Sequence, residues 1–161
     1  MKSRLIAIIF ILFAFWGATA KTKGDTLRLW DYLVNIDIPE NAIIKYNPYE
    51  EGLFVLIYDP YYTSKEKEGD QMTMPPLITL FIGGLTRIPL IDTSEASEYH
   101  KQNTHQRQIT YGVINNLYFK EIEDRETHIR LCYQYVPKKK LRKYNHILNK
   151  VRIRKIIDDP N

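Results

Sequence analysis

Apolar and polar residues alternate along much of this 161-residue chain, and a period of two residues is the signature of strands that bury one face. The segment from Thr127 to Val136 shows the pattern most clearly. Successive strand side chains point to opposite faces of a sheet, so alternate positions share a face. One face of this predicted strand holds Ile129, Leu131, Tyr133 and Tyr135, and the other holds Arg130, Cys132 and Gln134.

Shorter apolar runs separated by turn residues predict further strands. Pro, Gly, Asn and Asp cluster between these runs and favour turns. Residues 53–58 form an unbroken apolar run, which is typical of a central strand covered on both faces. The predicted strands are 32–38, 42–46, 53–58, 77–82, 108–115, 117–123 and 127–136, with 86–91 as a short strand or an extended connection and 21–26 as a frayed end.

Two segments have the features of helices. Asp92 can cap free backbone N–H groups, and Glu95 follows at the spacing of a capping box, so a helix is predicted from Asp92 to about Gln102. A second helix is predicted from Pro137 to about Lys150, because apolar residues recur there at helical spacing. Its apolar stripe consists of Leu141, Tyr144, Leu148 and Val151. Residues 151–154 alternate like a strand, and we expect either fraying or a short edge pairing.

These elements together predict an α+β fold. The length of the chain suits a single domain with its own core. The expected architecture is a curved antiparallel sheet flanked by about two helices, in which the chain ends with a strand and then a helix. The strand patterns imply that the sheet is covered on one side. We assign this domain to residues 21–161.

The first twenty residues have the composition of a signal peptide. Lys2 and Arg4 precede an unbroken apolar run over residues 5–16, and small residues in an Ala-x-Ala pattern end it at Ala20. The run is short for a membrane span, which needs about 20 residues. We therefore expect residues 1–20 to direct export. Retention as an uncleaved membrane anchor is the alternative.

Cysteine usage bears on the compartment. The chain has one cysteine, so no disulfide can form within it, whereas small secreted animal domains usually rely on several. Residues 21–161 also lack an Asn-x-Ser/Thr glycosylation sequence. Together these features favour a protein exported to a bacterial periplasm.

Known catalytic and metal-binding motifs do not occur in the sequence. His100 and His105 are five residues apart, which does not place both rings on one helical face. Cys132 lies within a predicted strand and is expected to be a small buried side chain. Glu121 and Glu123 alternate onto one strand face, so catalysis by paired carboxylates is geometrically open. We expect no metal, no cofactor and no enzymatic activity.

Two surfaces are candidates for binding a partner. Residues 59–76 form a long segment without periodicity, and exposed Tyr and Met side chains are typical of protein-binding surfaces. The candidate residues are Tyr58, which directly precedes this segment, and Tyr61, Tyr62, Met72 and Met74 within it. Residues 137–161 carry 9 basic and 2 acidic residues, against 12 and 17 in residues 21–136. The predicted basic face consists of Lys138, Lys139, Arg142, Lys143 and Lys150.

The order of elements resembles the PsbP-like fold. The opening strands over Tyr32–Tyr58 and the closing strand and helix over Thr127–Lys150 carry this resemblance, which is one of pattern and covers most of residues 21–161. It implies a curved antiparallel sheet flanked by helices, and a role in binding or assembly more than in catalysis. The short exported domain is also similar to periplasmic immunity proteins of contact-dependent toxin systems.

The functional expectation is a non-enzymatic exported binding protein that recognises another macromolecule, with a protein as its partner. An immunity role or a role in envelope assembly would fit. One alternative is a cell-envelope hydrolase that uses Glu121 and Glu123. The other is a protein held at an anionic membrane surface by its basic C-terminal helix. The predicted export argues against nucleic acid as the ligand.

Overall fold

The computed structural model describes residues 22–58, 78–84 and 89–156. Of these residues, 61% lie in strands and 12% in helix. The predicted α+β class with about two helices is therefore wrong: the described part of the chain is mostly β, with two antiparallel sheets and one helix. The elements are β1 (Thr22–Leu29), β2 (Tyr32–Pro39), β3 (Ile43–Tyr49), β4 (Gly52–Tyr58), β5 (Ile78–Gly83), β6 (Glu98–Asn103), β7 (Arg107–Ile114), β8 (Leu117–Asp124), β9 (Arg130–Val136), α1 (Lys138–Lys150) and β10 (Arg152–Lys155).

The strands form a small sheet and a large one. The small sheet has the order β1-β2-β10, so the last strand pairs with the second. The large sheet has the order β3-β4-β5-β9-β8-β7-β6. Its two hairpin series, β3-β4-β5 and β6-β7-β8-β9, meet where β5 pairs with β9.

The main core lies between one face of the large sheet and a layer formed by the small sheet and α1. α1 contacts β2, β8 and β9, and its Tyr144, Ile147 and Leu148 are fully buried. Leu29 and Val34 contribute from the small sheet, and both are also fully buried. Burial of these side chains is the main force that holds the layers together.

A second, smaller cluster lies on the opposite face of the large sheet. Ile91 packs there with Ile114, Phe119 and Cys132. The segment 89–97 crosses this face. A hydrogen bond of 3.2 Å, which Gln134 Nε2 donates to the carbonyl oxygen of Leu90, ties the segment to the sheet. Both faces of the large sheet are therefore covered in its central part.

The predicted helix over 92–102 is wrong. The backbone N–H of Ser94 donates to Oδ1 of Asp92 at 2.9 Å, so the capping side chain closes a local turn instead of starting a helix. The residues that follow form β6 and pair with β7 along their whole length. The segment 92–102 contains Ala96 as its single aliphatic residue, and a short helix without an apolar face to bury is marginal.

The ends of the domain also differ from prediction. Residues 21–26 were expected to fray, but β1 pairs with β2 along its length and buries Leu27 and Leu29. The predicted ending, strand then helix, is incomplete because β10 follows α1. The alternative of an edge pairing over 151–154 is confirmed, since β10 pairs with β2.

Most of the other elements were predicted correctly. The strands predicted at 32–38, 53–58, 77–82, 108–115 and 117–123 correspond to β2, β4, β5, β7 and β8, and the helix over 138–150 is α1. β3 runs beyond the predicted 42–46. The alternation within β9 ends at Tyr135, which has φ of 55° and is 39% exposed, so that Val136 enters the core instead.

Some predictions fall outside the described residues. The predicted signal peptide over 1–20 and the whole segment 59–76 belong to this group. Among the described residues, no helix has the length and apolarity needed to cross a membrane.

Candidate binding groove

A groove with a volume of about 460 Å³ lies between α1 and strands β6, β7 and β8. It forms because the large sheet extends past the helix: α1 contacts β8 and β9, while β7 and β6 continue beyond it. Its volume is within the usual range of small-ligand sites. The side chains that define its chemistry are His100, Tyr111, Lys120, Tyr133, Asn145 and Asn149.

The floor of the groove is a row of four side chains on neighbouring strands. Tyr133 of β9 is opposite Lys120 of β8, which is opposite Tyr111 of β7. Tyr111 is in turn opposite His100 of β6. Residues directly opposite each other on antiparallel strands share a face and approach to about 5 Å. The register therefore places an ammonium group between two tyrosines.

The outer end of this row is a stacked pair of rings. The ring centroids of His100 and Tyr111 are 5.0 Å apart with an angle of 22° between the planes. The side chain of Gln102 donates to the hydroxyl of Tyr111 at 3.2 Å. One ring face of Tyr111 is thus covered and the position of its hydroxyl is fixed.

The helical wall of the groove presents two asparagines. Asn145 and Asn149 are four residues apart on α1, which puts them on one helical face. The hydroxyl of Tyr133 donates to Oδ1 of Asn145 at 2.8 Å. Nζ of Lys120 donates to Oδ1 of Asn149 at 2.7 Å. These two hydrogen bonds join the floor of the groove to its wall.

The groove partly withdraws its polar groups from water. Burial lowers the pKa of the Lys120 ammonium group, because desolvation disfavours the charged form. Burial raises the pKa of the Tyr133 hydroxyl for the same reason. A partly desolvated charge interacts more strongly with a ligand than a fully hydrated one does.

A smaller pocket of about 210 Å³ lies on the opposite face of the large sheet. Arg130 is buried there between two carboxylates, with N–O distances of 3.9 Å to Glu121 and 3.6 Å to Glu123. The backbone N–H of Leu90 donates to Oε1 of Glu121 at 3.3 Å. The prediction that Glu121 and Glu123 share a strand face is therefore confirmed.

Glu121 and Cys132 both have altered acidity in this region. Burial raises the pKa of Glu121, against the opposing effects of the Leu90 N–H and the Arg130 charge. Burial raises the pKa of the Cys132 thiol to about 12, and the neighbouring Glu121 charge adds to the shift. Cys132 is fully buried, which confirms the expected buried side chain. Among the described residues, no group of His, Cys, Asp or Glu could hold a metal ion.

The structure describes one residue of the predicted aromatic surface. Tyr58 lies at the end of β4, half-buried, with Nζ of Lys45 at 5.3 Å from its ring centroid. It alternates with the core residue Ile57, so it lies on the face of the sheet opposite the groove. The other four residues, Tyr61, Tyr62, Met72 and Met74, lie outside the described residues. Their role in binding stays a prediction.

The predicted basic face lies on α1. Lys138, Lys139, Arg142 and Lys150 are exposed and Lys143 is half-buried. Nζ of Lys150 is 3.9 Å from a carboxylate oxygen of Asp37, and both groups are partly exposed. Such surface pairs contribute little to stability. The role of this face in binding a partner also stays a prediction.

The residues of the groove were not identified from the sequence as a site. The spacing of Asn145 and Asn149 on a predicted helix was a signal that could have been used. The row of side chains on the floor could not be predicted, because the segment that contains His100 was expected to be helical. No protein-family model matches the chain, and no curated protein or solved structure matches it.

Proposed function

We propose that this protein is an exported, non-enzymatic binding protein that recognises another protein through the groove beside α1. The observation that carries the proposal is the groove itself, which combines ring faces, amide groups and one ammonium group in an open concavity. Binding sites typically have this composition, with aromatic walls and a few placed polar groups. Export is part of the proposal and rests on residues 1–20 of the sequence.

The charge of α1 supports a role in binding. The helix contains six Lys or Arg residues and no Asp or Glu, and Lys138, Lys139 and Lys140 occupy its first turn. Cations are unfavourable at a helix N-terminus, where the backbone dipole is positive. The capping residue is Pro137, which provides no side-chain hydrogen bond. The helix dipole and the N-cap therefore do not favour this arrangement, and an acidic partner would be attracted to it.

The basic residues lie next to the groove. Residues three or four apart are neighbours on a helix, so Lys138 is beside Leu141, and Arg142 is beside Asn145. Leu141 and Asn145 line the groove. A macromolecule that occupies the groove would therefore also meet the positive surface of α1.

Site-specific photocrosslinking in the cells that make the protein tests this proposal. Benzoylphenylalanine is incorporated at Gln102, an exposed residue that lines the groove, or at Arg154, an exposed control position in β10. We expect a crosslinked protein species from position 102, in the exported fraction, that position 154 does not produce. The same crosslinks from both positions, or none from position 102, would contradict the proposal.

A hydrolase that uses the smaller pocket is the second candidate. The observation that favours it is the raised pKa of Glu121 next to Glu123, since a general acid needs a carboxyl group that keeps its proton. Glu121 also accepts a hydrogen bond from the Leu90 backbone N–H and pairs with Arg130, however, and both contacts are typical of a structural role. Product release from envelope polymers by the purified protein, lost in Glu121→Gln and Glu123→Gln, would favour the hydrolase.

A further inference from the structure

We propose that the groove binds a carboxylate side chain carried by an extended, acidic segment of the protein partner. Lys120 supplies the charge, Asn145 and Asn149 supply hydrogen bonds, and Tyr111 supplies an apolar ring. This inference rests on the proposed function and adds the chemistry of the bound segment. It follows from the donors in the groove, from the edge strand beside it, and from the charge of the helix above it.

The hydrogen bonds inside the groove leave it rich in donors. A lysine ammonium group can only donate, so the oxygen of the Asn149 amide must face Lys120. The amide nitrogen then lies on the other side of that side chain, with N–H groups to donate. Asn145 is oriented in the same way, because its oxygen accepts from Tyr133. Lys120 also keeps further N–H groups. An anionic acceptor complements this set of groups.

The acidic residue that lines the groove is not next to the lysine. Of the described lining residues, Glu98 is the only acidic one. Glu98 pairs with Val113, whereas Lys120 pairs with Tyr111. Glu98 and Lys120 are therefore about 7 Å apart along the strand direction, in addition to the spacing across the strands. The end of the groove near Lys120 and α1 is therefore positive, and this is where a carboxylate would bind.

The edge strand indicates a polypeptide as the source of that carboxylate. Within the described residues, β6 is the outermost strand beside the groove, and all six of its residues are exposed. The outer N–H and C=O groups of an edge strand can pair with an extended chain. A polypeptide that passes from the groove over β6 and then runs alongside this strand would pair with these main-chain groups, which a lipid headgroup or a sugar acid would leave unused. The basic first turn of α1 adds charge complementarity to an acidic segment.

Peptide binding to the isotope-labelled protein, followed by amide NMR, tests the inference. The probes are acetyl-Thr-Glu-Val-Glu-Thr-amide and its matched neutral form, acetyl-Thr-Gln-Val-Gln-Thr-amide. We expect the Glu peptide to shift the signals of Tyr111, Lys120, Asn145 and Asn149 at about tenfold lower concentration than the Gln peptide. The preference should weaken with added salt, because an exposed approach to the charge is screened. Equal binding of the two peptides, or shifts confined to other regions, would overturn the inference.

Two variants and a matched control locate the preference. Lys120→Met removes the charge and keeps the stem, and Asn149→Asp places a carboxylate where Lys120 already donates. Each should reduce the Glu-over-Gln preference to near unity. His146→Asp adds the same negative charge at an exposed position of α1 that does not line the groove, and it should retain most of the preference. A preference that survives in both groove variants would overturn the inference, and Asn149→Asp decides alone if Lys120→Met fails to fold.

Two further probes separate the sources of an anion. Tri-galacturonate presents carboxylates on sugars, and phosphatidylglycerol vesicles present an anionic membrane. Stronger perturbation of the groove signals by either probe than by the Glu peptide would overturn the choice of a polypeptide. If crosslinking at position 102 succeeds while the Glu preference is absent, the proposed function stands and this inference fails. If position 102 gives no crosslink, the proposed function itself is contradicted, whatever the peptides show.

Discussion

Nζ of Lys120 lies 2.7 Å from Oδ1 of Asn149, and this hydrogen bond joins the large sheet to α1. Lys120 is withdrawn from water enough for burial to lower its pKa, whereas Asn149 is exposed. The asparagine could bond to water as easily as to the lysine. The contact therefore fixes the position of a charge more than it stabilises the fold.

Replacing Lys120 by Met should change stability little at neutral pH. The substitution loses one hydrogen bond to a charged group but ends the cost of burying that charge, and it keeps an apolar side chain of similar length. We expect the free energy of unfolding to change by less than about 1 kcal/mol. Urea denaturation measures it, with the exposed Lys139→Met as control. A loss well above 1 kcal/mol would show that Lys120 is a structural residue.

The pH dependence of Lys120 has a defined sign. Its pKa is lower in the folded state than its ordinary value, so the unfolded state binds the proton more tightly and stability rises with pH through that interval. The wild type should therefore gain stability relative to Lys120→Met as the pH rises from about 7 towards about 10.4. Urea denaturation at several pH values tests this, and a constant difference would contradict it.

Glu121 should show the opposite pH dependence. Burial raises its pKa above the ordinary value of a glutamate, so the folded state binds the proton more tightly. Its contribution to stability is fully present below the unfolded pKa, about 4.3, and is lost as the pH rises through the folded pKa. Glu121→Gln removes this titration. We expect the variant to gain stability relative to the wild type as the pH rises from about 4 to about 7.

Chemical denaturation across that pH range measures the difference between the two proteins. Glu126→Gln at an exposed position of the β8–β9 turn removes the same charge and serves as the control. If the difference in free energy of unfolding between Glu121→Gln and the wild type stays constant over this pH range, the Glu121 carboxyl group is not buried beside Arg130.

The elements that could be predicted are those whose local pattern and tertiary contacts agree. α1 has an apolar stripe at helical spacing and buries Tyr144 and Leu148 in the core. β6 is the opposite case, because Asp92 and Glu95 give a local helix signal while pairing with β7 is a long-range interaction. β1 was missed for a similar reason, since its stability comes from pairing with β2.

The candidate groove also depends on long-range contacts that local sequence patterns do not predict. Asn145 and Asn149 could be placed on one helix face from their spacing alone. Their partners, Tyr133 and Lys120, lie on two different strands. The sheet register that aligns these strands is set by the whole fold. The donor-rich character of the groove depends on those cross-element hydrogen bonds. It therefore becomes visible when the structure is known.

Cys132 should be unreactive in the folded protein. Its side chain is fully buried, and burial raises its pKa to about 12, so very little reactive thiolate is present at about pH 8. We expect a disulfide reagent to label it at least about a hundredfold more slowly in buffer than in denaturant. The chain has a single cysteine, so the signal comes from this residue alone. Rapid labelling without denaturant would contradict its placement beside Phe119.

Gly112 should be essential for the edge of the large sheet that borders the groove. A Cβ at this position would collide with the carbonyl oxygen of Glu98 in β6 and lie 2.9 Å from the ring of Phe119. A backbone oxygen in a paired strand cannot move away without breaking pairing. Gly112→Ala should therefore lower the free energy of unfolding by about 2–3 kcal/mol and loosen β6 from β7.

Gly24→Ala is the matched control, because its Cβ would meet Oδ1 of Asp37 at an ordinary 3.6 Å. We expect it to change stability by less than about 0.5 kcal/mol. Hydrogen exchange of β6 amides would report the loosening in Gly112→Ala, and weaker binding of the Glu peptide would follow, since His100 and Tyr111 are stacked across the disturbed pair of strands. Equal stability of the two variants would mean that β6 is not held against β7 in the register described.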